Sequence, residues 1–139
     1  MQFKPLTQKE YSELGLLPPG IYRFEVIKAE EATSQKGNPM IKLTLKVNHE
    51  GKDRLVFDNI MEAFQKKLYQ FAHNVGLSDK YELGTLTAVD CLHKVGYCEI
   101  IKRDAQGPYD AKNEVKSYLP KPTIEAIVTP DINEDMIPF

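Results

Sequence analysis

Tryptophan is absent, and 139 residues hold two cysteines and three histidines. Each scarcity closes off a class of protein. Two thiols cannot build the disulfide framework on which small secreted domains depend. Without a basic-then-apolar leader they are expected as free thiols in a reducing cytoplasm. No apolar run approaches the ~20 residues that a membrane helix needs. HExxH, a glycine-rich phosphate loop and a nucleophile elbow are all missing. Cys91, His93 and Cys98 put three soft ligands within eight residues. Zinc sites, however, favour Cys-x2–4-Cys spacing, so two buried thiols and a helix-end histidine are expected instead. No metal, cofactor or enzymatic activity is expected. A nuclease assembled from carboxylates distant in sequence ranks third among the readings.

Charge is unevenly spread. Residues 123–139 hold Glu125, Asp131, Glu134 and Asp135 and no base, whereas the remainder carries 18 basic against 16 acidic side chains. A mildly basic body with an acidic tail is the layout of a nucleic-acid binder that carries its own competitor. The body excess is small and does not by itself argue for nucleic acid.

The sequence from Asp131 to Phe139 is acidic and ends Ile137, Pro138, Phe139. An aromatic ring and a carboxylate on one residue suit capture in a pocket. These residues resemble the acidic tip of bacterial single-stranded DNA-binding proteins, Asp-Asp-Asp-Ile-Pro-Phe. Asp135, Ile137, Pro138 and Phe139 match, Glu134 is a conservative change and Met136 departs. The resemblance implies a protein-interaction tip formed by Asp135, Met136, Ile137, Pro138 and Phe139.

Periodicity organises the rest. Residues 1–18 form an N-terminal segment with a short helix within Thr7 to Leu14, closed by Pro18, Pro19 and Gly20. Tyr22, Phe24 and Val26 then share one strand face, with Arg23 and Glu25 on the other. A polar loop from Thr33 to Pro39 leads into the clearest half-buried strand. There Ile41, Leu43, Leu45 and Val47 alternate with Lys42, Thr44 and Lys46. His49 to Lys52 reads as a hairpin turn into a third strand, Arg54 to Ile60, where Phe57 either stacks or fills the core according to whether Val56 or its neighbours face inward, the core being the expectation. The period then lengthens. Phe64, Leu68, Phe71 and Val75 make one helical stripe ended by Gly76. A second helix is expected from Leu86 to Lys94, with Leu86, Val89 and Leu92–His93 inward and Gly96 as its stop. Strands from Tyr97 to Arg103 and Glu114 to Leu119 complete the order.

Three strands, helical material and two strands predict a mainly β domain with helices. The specific expectation is a five-stranded OB-fold, a Greek-key barrel with a helical insertion between strands 3 and 4. An open antiparallel sheet with a packed helix is the alternative. The domain is expected over 19–120, with linker and tip over 121–139.

Gly20-Ile21-Tyr22 with Ala29-Glu30, Ser34 to Leu45, Val56 to Ile60 and Asn113 to Tyr118 occur in this order. They resemble a family of small phage and prophage proteins, long carried as a domain of unknown function. The resemblance spans roughly 19–119. It implies single-stranded-DNA binding among replication and recombination genes and assigns no catalytic residue.

In the OB-fold, ligands use the faces of strands 2 and 3 and the loops joining strands 1–2 and 4–5. Single strands need a positive groove and flat side chains for base stacking. The candidate DNA-binding residues are therefore Lys36, Lys42, Thr44, Lys46, Arg54, Tyr109, Lys112, Lys116 and Tyr118. Lys42 and Lys46 stand ~13 Å apart at ~3.3 Å per residue, a span of about two nucleotides. Tyr109 is the preferred stacking ring, the alternative being that it folds onto the barrel. Tyr118 alternates with Lys116 and Glu114 and is expected to point outward.

The expected function is phage-type, sequence-independent single-stranded-DNA binding in replication, recombination and repair, with partner enzymes recruited through the tip. The alternative is an interaction protein that mimics the host tip and binds no DNA. Whether the chain forms a homodimer is left open.

Overall fold

Strict alternation gives the sheet its two faces. The computed structural model describes residues 1–12, 14–104, 106–107 and 110–122. Five antiparallel strands, β1 (Gly20–Thr33), β2 (Pro39–His49), β3 (Lys52–Met61), β4 (Val95–Arg103) and β5 (Lys112–Leu119), pair in the order β3-β2-β1-β4-β5. The sheet curls into a half-barrel, so that its two edge strands, β3 and β5, face each other without ladder hydrogen bonds. On β2, Ile41, Leu43, Leu45 and Val47 are buried, and Lys42, Thr44 and Lys46 take the other face, as alternation demands. The hairpin turn is Glu50-Gly51, both at positive φ (53° and 80°), between the paired residues His49 and Lys52. Two left-handed residues match the twist of a two-residue hairpin.

Two bulges rewrite the alternation. Ile27 is an extra residue in β1, between the pairs Val26–Leu45 and Lys28–Thr44. Lys116 is an extra residue in β5, between the pairs Ile100–Val115 and Glu99–Ser117. The second corrects the outward placement of Tyr118. A bulge residue shifts every later side chain to the opposite face, so Tyr118 joins Val115 inside and is 1% exposed. Its ring meets Phe24 at 5.5 Å and Phe71 at 5.0 Å, both edge-on. This trio ties β1 and β5 to the helix that carries Phe71, each such aromatic pair contributing ~0.5–1.5 kcal/mol beyond area burial.

The helices are short. α1 (Gln8–Ser12) starts with a reciprocal cap, in which Thr7 N–H donates to Glu10 Oε1 (2.9 Å) and Glu10 N–H to Thr7 Oγ1 (3.1 Å). After a 3-10 turn at Glu62–Phe64, α2 (Gln65–Asn74) buries Phe71 and Ala72 and leads to Val75, also buried. Phe64, expected on the same buried stripe, precedes α2 and is 62% exposed. α3 (Ser78–Glu82) has no counterpart among the expected elements.

The helix expected from Leu86 to Lys94 is only α4 (Ala88–Cys91). The sheet takes its remainder: His93 N–H donates to Val26 O and Val26 N–H to Lys94 O, both at 2.8 Å. The inward residues are Ala88 and Cys91, whereas Val89, Leu92 and His93 are exposed; of the expected inward set only Leu86, ahead of α4, packs against the core. Gly96 is not a helix stop but lies inside β4, opposite Phe24. A Cβ there would stand 3.0 Å from both Phe24 Cζ and Val75 Cγ1. Gly96→Ala is expected to cost ~1–3 kcal/mol, as overpacking of a filled core does. The urea midpoint should fall at unchanged slope, and an unchanged midpoint would mean that the Phe24 ring yields freely.

Candidate nucleic-acid interface

The outward face of β2 meets β3 residue by residue: Lys42 opposes Asn59, Thr44 opposes Phe57 and Lys46 opposes Leu55. Since Val56 and Ile60 are buried, the alternation turns Phe57 outward, correcting its expected place in the core. Phe57 is 67% exposed. A bare ring beside a polar strand face is a flat surface on which a base can stack.

The β2 lysines are not unopposed. Lys46 Nζ lies 3.9 Å from Glu25 Oε1. Lys42 sits across from Glu30, which also pairs with Lys28 at 3.6 Å. The stronger positive field lies next door, in the cleft between β3 and β5. This cleft has a volume of about 1250 Å³, and five cations line it against two carboxylates. No salt bridge is formed by Lys66 or Lys116 among the described residues, and Lys112 acts on Glu114 through its charge. Arg103 donates two hydrogen bonds to Glu114, from Nε (2.7 Å) and Nη2 (3.1 Å), which hold that carboxyl below its usual range. Leu55, Phe57 and Asn59 belong to both surfaces, making one tract from the β2 face into the cleft.

The fifth cation, Lys67, closes the cleft floor. Its Nζ donates to Asp58 Oδ1 at 2.7 Å, and Tyr118 Oη donates to Asp58 Oδ2 at 2.5 Å. One carboxylate thus ties α2, β3 and β5 together across the seam where the ladder stops. Burial pushes the Asp58 carboxyl above its usual value, against the opposing pull of Lys67 and Tyr118. The Tyr118 phenol is driven well up by burial and by the Asp58 charge.

Of the expected binding residues, the structure brings Lys42, Thr44, Lys46, Lys112 and Lys116 onto this tract. Lys36 sits in the loop between β1 and β2, exposed at the Thr33–Pro39 end of the sheet. Arg54 opposes Val47 on the core-facing side of β3 and does not join the β2 lysines. Tyr118 is spent on the core. Tyr109 and the tip residues Asp135, Met136, Ile137, Pro138 and Phe139 lie outside the described residues. Phe64, Lys66, Lys67 and Arg103 are not among the binding residues singled out from the sequence, and Phe57 takes the outward alternative to its expected core position. The alternation of Val56 with Phe57 was the one signal that could have turned Phe57 outward.

Cys91 and Cys98 are buried, and desolvation pushes both thiols up to about 12. Buried protonated thiols are inert as nucleophiles. Among the described residues, no helix is long and apolar enough to cross a membrane.

No curated protein matches the chain. The sequence model of a family described as "Protein of unknown function (DUF669)" matches residues 6–95. That span begins ahead of the block where the sequence resemblance starts and ends before β5. It takes in α1, β2, β3, Phe57 and the helices, and covers more than half of the chain, so the protein belongs to the DUF669 family.

Proposed function

We propose that this protein binds single-stranded DNA without sequence preference, along the tract from the β2 face into the β3–β5 cleft, and that its half-barrel is an OB-type fold. The observation that carries the reading is Phe57, a bare ring set between the lysines of β2 and those of the cleft. Stacking on such a ring tolerates every base, while the cations track phosphates. The strand order supports the fold assignment, because a five-stranded Greek-key barrel opened at one seam leaves two edge strands facing each other.

Titration of labelled oligo-dT against salt tests the reading. Three to five engaged cations predict a slope of log K against log[salt] of about −2 to −3.5. A salt-independent affinity, or equal affinity for duplex, would overturn it.

The acidic segment 123–139 is proposed to recruit replication, recombination and repair enzymes and to compete with DNA for the cationic cleft. A tethered anion acts at an effective concentration of order mM. Deleting 123–139 is expected to raise oligo-dT affinity at low salt, to matter little at high salt, and to abolish capture of partner enzymes. Unchanged or lower affinity at low salt rules out the competition.

A further inference from the structure

Two phenylalanine rings line the β3–β5 cleft, and the function proposed above uses one of them. Phe64 lines it together with Phe57 and is nearly as exposed. Phe24, Phe71 and Tyr118 pack against one another, whereas Phe57 and Phe64 make no ring contact with any described residue.

Local backbone geometry puts Phe64 there. Its spacing from Leu68 and Phe71 suits the buried stripe of α2, but a 3-10 turn precedes that helix. Phe64 joins the two with non-helical dihedrals, φ −119° and ψ 71°. A ring at such a joint does not follow the 3.6-residue period of the helix beyond it, so it leaves the stripe and lines the cleft instead. A lone exposed apolar side chain is ordinary. Two flat rings interleaved with cations are the surface that single strands require.

The rings are set apart. Four residues of β3 separate Phe57 from Met61, ~13 Å at ~3.3 Å per residue, and Phe64 follows Met61 on the 3-10 turn. On the scale used for the β2 lysines this is about two nucleotides, so the rings face different bases rather than the two sides of one. The cleft, at about 1250 Å³, also exceeds the roughly 300–1,000 Å³ that holds one small ligand. Lys66, two residues past Phe64, and Lys116, bulged from β5, line the same cleft.

We infer that Phe64 is a second stacking platform, and that the cleft selects strands of at least about four nucleotides, long enough to lay one base on Phe57 and another on Phe64. The phosphates between those bases run toward Lys66 and Lys116. This inference rests on the proposed DNA binding and adds to it a minimum length of ligand.

Thymidine oligomers of two, four and eight nucleotides, competed against a labelled oligo-dT, test it. Phe64→Ala should bind the eight-nucleotide strand about fivefold or more weakly than wild type. The salt slope and the urea midpoint should not move, because the lost ring carries no charge and is mostly in water already. For the two-nucleotide strand, which one ring can serve, the variant should stay within about twofold of wild type. Phe64→Tyr keeps a flat ring and should restore the long-strand affinity. On the eight-nucleotide strand the losses from Phe57→Ala and Phe64→Ala should multiply, as independent sites do. If the wild type shows no salt-dependent binding at any length, the proposed DNA binding falls and this inference with it. Three results would overturn the second platform alone, with binding by the wild type and its loss in Phe57→Ala both intact. They are a Phe64→Ala variant that matches wild type at every length, one that weakens short and long strands equally, and a double variant that loses no more than Phe57→Ala.

Discussion

Phe57→Ala is expected to weaken oligo-dT binding by roughly 5- to 150-fold, from ~1–3 kcal/mol per stacked base at ~1.4 kcal/mol per tenfold. The salt slope should not move, because no charge is removed. Phe57→Tyr keeps a flat ring and should retain the affinity. Most of the Phe57 side chain is already in water, so the alanine variant should unfold at the wild-type urea midpoint, separating loss of stacking from loss of fold. The opposite signature belongs to Lys112→Glu with Lys116→Glu, which should weaken binding and make the slope shallower by about 1.4, that is, ~0.7 per phosphate lost. Lys42→Glu with Lys46→Glu should act in the same direction but less strongly, since Glu25 and Glu30 already offset those two lysines. Full affinity in the Phe57→Ala variant would remove the observation on which the functional reading rests.

Lys67→Met is expected to be the most damaging change outside the hydrophobic core, and its cost should depend on pH. The Lys67 side chain is part-exposed and that of Asp58 nearly buried. Removing the ammonium leaves a buried carboxylate with Tyr118 as its chief remaining side-chain partner. Breaking a buried pair from one side costs ~3–5 kcal/mol, and the partial exposure of Lys67 places this case near ~3 kcal/mol. The sign follows from the direction of the Asp58 shift. Its folded value is raised above the unfolded one, so its contribution is fully present below the ordinary carboxylate value and is lost as pH rises through the folded value. Deleting Lys67 raises that folded value further. Lys67→Met should therefore lose little stability in acid, where Asp58 is protonated, and most near neutrality. Urea melts at two pH values decide it: an equal loss at both would assign the cost to packing of the lysine stem instead.

Alternation and turn chemistry alone determined much of this molecule. The inward row of β2 and the Glu50-Gly51 hairpin follow from local rules, because a strand's two faces and a two-residue turn are settled by neighbours in sequence. The mainly β class, the strand order in the chain and the Phe71 helix were legible for the same reason. What local pattern could not give was decided by contacts between distant segments. A bulge at Lys116 arises from pairing with β4 and turns Tyr118 from a surface ring into the core partner of Phe24, Phe71 and Asp58. Gly96 carries no local mark that separates a helix stop from a strand position over which a phenyl ring lies. His93 and Lys94 leave the expected helix because Val26, nearly seventy residues earlier, takes up their backbone groups. The site follows the same division. The lysines of β2 could be picked from their strand, whereas the cleft is made by β3 and β5 facing each other across an unpaired seam. Which side chains line that seam depends on the curl of the whole sheet, a property that no single segment carries.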